Sequence, residues 1–483
     1  MGNTKRNFIY NTLLGLTNIL VPIITFPYAS RVLGPEGIGI TSFALSLSIT
    51  FIVLGSLGIP IYGIREVAKS KKNIKDLSKT FSELLIIHLL WTILIMIFYA
   101  VWIIISKTYQ NEDAIKYFSF IHILSSVGLI NWFYQGMEKY RFISVINFIS
   151  KILTIFLLFI LVKKPEDYWL YYLIIVLSNV LSVLISILYS LNIVKLTLLG
   201  LDFKKHFKPI IILFSTQMAI TIYVNLDVIM LKYFSDLKDV GYYSASIKII
   251  KILLVLITSL GMVLIPKIAI YIKEKKINEV KNLIERSINF VLLMSIPIIF
   301  YLFITSKDII LLFAGQDFLL ASLLLKLLTP LILIVGLANI FSLQILVPSN
   351  NEKTYMFIVL LGLVINIILN SVLIPIMHSK GAVLATLTTE FTGLVLTYHY
   401  SKKVIDFYFP IKKVIKYLLI SLLFVPISLF FSSFIQESLV YLIVLAICSG
   451  IIYFSFLFLI KDKFFIEFVF RPVYNKIILK KQL

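Results

Sequence analysis

The 483-residue chain is 60% apolar and 14% charged, with a mean hydropathy of +0.99, whereas soluble globular proteins run about 45–50% apolar and roughly 25% charged. A soluble enzyme is excluded, because no single core of this size hides so much Leu, Ile, Val and Phe from water. A net charge of +21 would point to nucleic acid in a soluble protein; in a membrane protein it marks the cytoplasmic side, so no nucleic-acid partner is expected.

Runs of about 20 apolar residues, the length that crosses a bilayer as a helix, recur throughout. Taken in order they predict an all-α polytopic membrane protein with about 14 transmembrane helices, over 8–29, 37–63, 81–106, 117–136, 142–162, 169–190, 209–233, 241–266, 287–306, 319–347, 354–377, 381–400, 414–433 and 439–460. An even number puts both termini on one side. Of the 45 Lys and Arg, 31 fall on one alternate set of loops and tails, 8 on the other and 6 within spans. The loops 64–80, 191–208, 267–286 and 401–413, with both tails, are therefore expected to be cytoplasmic. Residues 1–7 run into a full-length first span, so an uncleaved signal anchor is expected. No loop is long enough for a soluble catalytic domain. The tail 461–483 carries Phe464, Phe465 and Phe468 at helical spacing among basic residues, which predicts a cytoplasmic helix lying in the interface.

An internal repeat is visible. Gly39-Ile-Thr-Ser-Phe-Ala44 opens the second span and Gly241-Tyr-Tyr-Ser-Ala-Ser246 opens the eighth, 202 residues later. Glu138-Lys139 and Glu352-Lys353 follow spans four and ten. A six-span displacement preserves orientation, which predicts two parallel six-helix lobes, 1–190 and 209–400, joined by a cytoplasmic linker, 191–208. Spans 13 and 14, within 401–460, are then peripheral.

Ionisable groups at bilayer depth are functional candidates by default. Lys248 and Lys251 lie about 10 and 15 Å along the eighth span from Gly241, and their i, i+3 spacing puts them on one face with Ser244. They read either as the cationic wall of a cavity for an anionic substrate or as buried partners of Asp227 or Glu390. Lys151 is a similar candidate. Lys326, nearer the outer edge, is expected to snorkel, while Lys232, Lys416 and Glu83 sit at span ends. Arg31 opens the glycine- and proline-rich stretch 31–39, where it reads as substrate-binding or as paired with Glu36. Arg65 reads as substrate-binding or as a headgroup anchor beside Glu66. Asp227 and Glu390, the deep carboxylates, carry ions in a coupled cycle or neutralise the lysines. A lone Cys448 and five scattered histidines build no disulfide or zinc site, so no metal and no cofactor is expected.

With these residues assembled, the chain resembles the polysaccharide-exporting flippases of the MOP superfamily, the Wzx proteins. The resemblance covers nearly the whole chain. It is carried by Arg31-Val-Leu-Gly-Pro-Glu-Gly-Ile-Gly39, Tyr62-Gly-Ile-Arg-Glu-Val-Ala68, Gln135-Gly-Met-Glu138, Asn225-Leu-Asp-Val-Ile-Met-Leu231 with Val240-Gly-Tyr-Tyr-Ser-Ala245, and Gly381-Ala-Val-Leu-Ala-Thr386 with Glu390. It implies a V-shaped pair of six-helix lobes plus two peripheral helices, moving an undecaprenyl-pyrophosphate-linked oligosaccharide from the cytoplasmic to the outer leaflet of a bacterial inner membrane for O-antigen or capsule assembly. Its partners would be that lipid-linked substrate, membrane lipids and other polysaccharide assembly proteins. No covalent step is needed, so no catalytic residues are assigned. A multidrug or cation antiporter of the same superfamily is expected to favour deep carboxylates, whereas within the predicted spans lysines outnumber carboxylates six to three. A membrane-embedded polymerase or ligase is expected to carry a sizeable external loop, and none is predicted.

Overall fold

The computed structural model describes residues 2–110 and 112–470; the predicted tail beyond 470 and the Phe468 side chain lie outside the described residues. The helices are α1 (Gly2–Ser56), α2 (Ile59–Ser70), α3 (Ile74–Ser106), α4 (Asp113–Ser125), α5 (Asn131–Gly136), α6 (Tyr140–Leu161), α7 (Tyr168–Leu191), α8 (Lys204–Phe234), α9 (Leu237–Lys273), α10 (Ile277–Phe313), α11 (Ala321–Leu328), α12 (Leu331–Asn339), α13 (Glu352–Met377), α14 (Ser379–Val404), α15 (Ile411–Leu422), α16 (Phe424–Ser432) and α17 (Ser438–Leu459). The described residues contain no strand. The chain is all-α and multi-pass.

All fourteen expected spans fall on helix, but their joints differ from expectation. In the glycine- and proline-rich stretch 31–39 the helix breaks at one residue. Gly34 adopts φ 66° and ψ −179°, which a side chain would resist, and Pro35 restarts the helix with its φ already suited to the first turn. A helix from Leu20 to Ser70 would otherwise measure about 75 Å, more than twice the hydrocarbon thickness. Ten helices among the described residues are long and apolar enough to cross a membrane, or eleven if Ala321–Leu328 and Leu331–Leu346, bent by 40°, form one span. That count takes Leu20–Ser70 as one, and it leaves out 209–233 and 381–400. Helix ends overrun the apolar runs. α3 begins at Ile74 rather than 81, capped by Asn73, whose side chain accepts from the Lys75 N–H at 3.0 Å, with Asp76 in the first turn.

The chain packs as two compact units, Met1–Ser244 with Asn370–Ser379, and Ala245–Leu369 with Lys380–Leu483. In the first unit, Tyr62, Phe81, Trp132, Phe133 and Tyr134 form the centre of a buried cluster. Two of the stretches that carry the family resemblance meet there. A Cβ on Gly63 would lie 2.5 Å from the Trp132 ring, and one on Gly136 2.7 Å from Val67, so only glycine lets α2 and α5 pack this closely. Lys71 and Glu138 close the same contact with an ion pair of 2.6 Å.

The repeat also has a structural counterpart in this unit. A Cβ on Gly39 would fall 1.8 Å from the Leu237 carbonyl oxygen, and one on Gly241 would fall 2.0 Å from that of Pro35. Gly39 and Gly241 are 202 residues apart, and so are Pro35 and Leu237, so the two glycines cross as equivalents. The fourth and tenth of the expected spans are both interrupted. One breaks through a 3₁₀ turn at Ser126–Gly128, the other at Thr329-Pro330, followed by a π-helix over Ile340–Leu346.

In the second unit, α10 is the hub. The Tyr301 hydroxyl donates to the Leu442 carbonyl at 2.9 Å and the Tyr453 hydroxyl to that of Leu293 at 3.0 Å, while Lys413 Nζ donates to Asn289 Oδ1 at 2.8 Å. These bonds hold α15 and α17 against it. Phe464 and Phe465, expected at the lipid interface, are instead buried in protein, with Phe465 stacked on Phe454 at 5.4 Å.

Candidate functional site

The deep carboxylate Asp227, on α8, is buried and fully engaged. Its Oδ2 accepts from the Tyr243 hydroxyl of α9 at 2.6 Å, and its Oδ1 from Asn370 Nδ2 of α13 at 2.7 Å. Three helices therefore converge on one carboxylate. Neither partner was foreseen. The available signal was polarity out of place: Asn370 interrupts the apolar run of α13, and Tyr243 follows the close-packing Gly241. Nearby in the same unit, Asp239 accepts from the Ser235 and Ser379 hydroxyls, and Ser235 Oγ lies 2.9 Å from His378 Nδ1.

The other candidates are distributed over both units. Arg31 is exposed, and its Nη1 donates to the Pro27 carbonyl at 2.7 Å. Arg65 is exposed on α2, where Glu66 pairs with Lys69 at 2.7 Å. Lys151 is half-buried on α6 and makes no ion pair among the described residues. In the second unit, Lys248 is half-buried and Lys251 exposed, one turn apart on α9, and Glu390 is half-buried on α14. Lys326 does not merely snorkel; its Nζ stands 4.3 Å over the Phe303 ring. Lys232 lies 5.2 Å over Tyr233.

Glu83 and Lys416, read as residues at span ends, are parts of ion pairs in which the carboxylate is buried and the lysine is partly exposed. The Glu83 side chain is wholly enclosed, and Oε2 receives Lys205 Nζ at 2.8 Å and His206 Nε2 at 2.9 Å, while Oε1 accepts from the Asp202 N–H at 2.7 Å. His206 Nδ1 stands 2.9 Å from the Tyr62 hydroxyl. With Nε2 donating to the carboxylate, Nδ1 is left to accept from tyrosine, so one tautomer satisfies the whole row. Lys416 pairs with Asp462, which also accepts from the Phe465 N–H at 3.0 Å. No group of three or more His, Cys, Asp or Glu able to hold a metal occurs among the described residues.

A family model described as "Polysaccharide biosynthesis protein" matches residues 4–272, and a second, MatE, matches residues 209–372. A "Putative O-antigen transporter" of Escherichia coli (strain K12) is 24% identical over 410 residues, covering 83% of this chain and 98% of that protein. Among solved structures, "Lipid II flippase MurJ, inward closed conformation" aligns with a TM-score of 0.72 at 18% identity over 94% of this chain and 99% of its own. An inward-facing multidrug resistance MATE family transporter of the MOP superfamily aligns at 0.68, with 12% identity over 81% and 94%. At those identities the structures speak for the fold alone. Because the first family model covers more than half of the sequence, the chain belongs to the polysaccharide biosynthesis protein family.

Proposed function

We propose that this chain is a flippase that moves an undecaprenyl-pyrophosphate-linked oligosaccharide from the cytoplasmic to the outer leaflet of a bacterial inner membrane by alternating access, supplying O-antigen or capsule assembly. The observation that carries the reading is the pair Lys248 and Lys251, one turn apart about 16 and 21 Å along α9 from Leu237, within a helix long and apolar enough to cross a membrane. A diphosphate and its sugars cannot cross hydrocarbon unaided, while a polyprenyl tail can stay in lipid. Fixed positive charge along the path offsets the loss of phosphate hydration. Arg31, Arg65 and Lys151 are further cationic positions for the same task. Asp227 and Glu390 are the ion-coupling candidates, and the bonds from Tyr243 and Asn370 orient the first of them. The relative named as an O-antigen transporter supports this reading. The protein acts without a covalent step, alongside other polysaccharide assembly proteins. Fourteen spans with both termini cytoplasmic, lobes over 1–190 and 209–400, the linker 191–208 and peripheral spans within 401–460 complete the proposal.

The test is a reconstituted-vesicle assay scoring lipid-linked oligosaccharide delivered to the outer leaflet. Replacing Lys248 and Lys251 together with Gln should lower delivery at least about tenfold at normal abundance, and Arg at both should restore part of it, because it keeps charge and offers phosphate a fork of donors. Asp227→Asn or Glu390→Gln should remove dependence on an ion gradient. Normal delivery by the stable double-Gln protein would sink the role given to α9.

A further inference from the structure

The linker between the two repeats runs unwound from 192 to 203 along one face of α3, and a groove of about 760 Å³ opens between it and the start of that helix. Two main-chain bonds fix this wall: the Lys195 N–H donates to Ser78 Oγ at 3.1 Å and the Thr197 N–H to Ser82 Oγ at 3.0 Å. Lys75, Lys79 and Lys195 line the groove against a single acidic side chain, Asp76. Among the described residues none of the three lysines makes an ion pair, so their charge is uncommitted. The first turns of α3 add the positive end of a 33-residue helix.

Depth and apolar surface narrow the choice of occupant. Residues 74–80 extend α3 by about 10 Å beyond its apolar run, which is headgroup depth. Beside the groove, Leu198 and Leu199 are 80% and 87% exposed and Leu196 is 56% exposed, the side chains of a segment that meets acyl chains rather than water. We propose that this groove binds the headgroup of an anionic phospholipid of the surrounding bilayer, its phosphate on Lys75, Lys79 and Lys195 and its chains against Leu196, Leu198 and Leu199. The site is independent of the transported substrate. It ties the linker to the membrane surface.

Native mass spectrometry of the full-length protein, titrated with phosphatidylglycerol or phosphatidylcholine, tests this. The wild type should retain one phosphatidylglycerol at least about tenfold more tightly than phosphatidylcholine. Each lysine is worth about fivefold near an anionic lipid, so the Lys75→Gln/Lys79→Gln/Lys195→Gln protein should lose that preference by ten- to a hundredfold. Lys204→Gln with Lys208→Gln, changes outside the groove, should leave it unchanged. Asp76→Asn removes the opposing charge and should tighten retention about fivefold, a gain that a misfolded protein cannot mimic. Wild-type protein without a preference, a folded triple variant that keeps it, or Asp76→Asn without a gain overturns the proposal. So does retention of a polyprenyl pyrophosphate alone, with phosphatidylglycerol held no better than phosphatidylcholine, which would make the groove a station for the substrate.

Discussion

Glu83 in the first unit and Asp462 in the second are both buried carboxylates near the ends of apolar helical runs, and both meet a lysine and a main-chain N–H. They do different work. Asp462 is local: it accepts from the Phe465 N–H three residues on, as a helix cap does, and reaches across to Lys416 on α15. Glu83 is remote. Its partners Asp202, Lys205 and His206 lie 119 to 123 residues away in one short stretch, and the row continues through His206 to Tyr62 on α2. In a chain with 45 basic and only 24 acidic residues, a buried acid is a scarce resource for fixing a basic segment. Asp462 fixes the end of α17 to its neighbour; Glu83 fixes the start of α8 to α3.

The comparison breaks most clearly at Glu83. Glu83→Ala leaves buried His206 and the Asp202 N–H without their acceptor, while the partly exposed Lys205 turns to water, and is expected to cost about 2–3 kcal/mol, read as a lowered thermal unfolding midpoint of the detergent-purified protein, with Gln recovering part of the loss through its carbonyl. A midpoint unchanged by Ala would show that the linker is held elsewhere.

The second site is sharpened by acid. Burial alone would raise the Asp462 carboxyl, but the bonds from Lys416 and the Phe465 N–H, with Lys413 nearby, outweigh it and hold the group below the usual aspartate range. A depressed folded pKa adds stability above the unfolded value, near 4, and that stability fades as pH falls through the folded value. The difference between wild type and Asp462→Asn, up to about 2 kcal/mol, should be constant above about pH 5 and shrink below about pH 4 in unfolding measured across pH. A difference that does not change with pH would remove the ionised carboxylate from the account. The smallest effect belongs to Tyr62→Phe. Losing the hydroxyl that faces His206 Nδ1 should cost about 1 kcal/mol, and no more, because the Glu83 bonds remain.

These two nodes also mark where the sequence is legible and where it is not. The apolar runs fall on helix, and Leu33-Gly34-Pro35 announces the break between the first two expected spans, because both signals are local. The equivalence of Gly39 and Gly241 is readable as a repeat, and the crossing gives it a physical cause. Asp227 stands out as a deep carboxylate, yet Tyr243 and Asn370 do not, since nothing in a single sequence says which polar side chains meet across 143 residues. Glu83 and Lys416 look like ordinary residues at span ends for the same reason. The early start of α3 escapes hydropathy because a helix continues past the hydrocarbon at no cost once capped, as Asn73 caps this one.

The linker carries one more consequence. Over its unwound part, residues 192–203, the three ties to α3 among the described residues are made by the main-chain amides of Lys195, Thr197 and Asp202, bonded to the side chains of Ser78, Ser82 and Glu83. The helix thus recognises the linker by the spacing of its peptide groups and not by its lettering. Nineteen of the twenty amino acids preserve each tie, and proline, lacking the amide hydrogen, is the one that cuts it. The ties therefore set the spacing of the strap through its backbone alone, which leaves the side chains of Lys195, Leu196 and Leu199 free to line the groove.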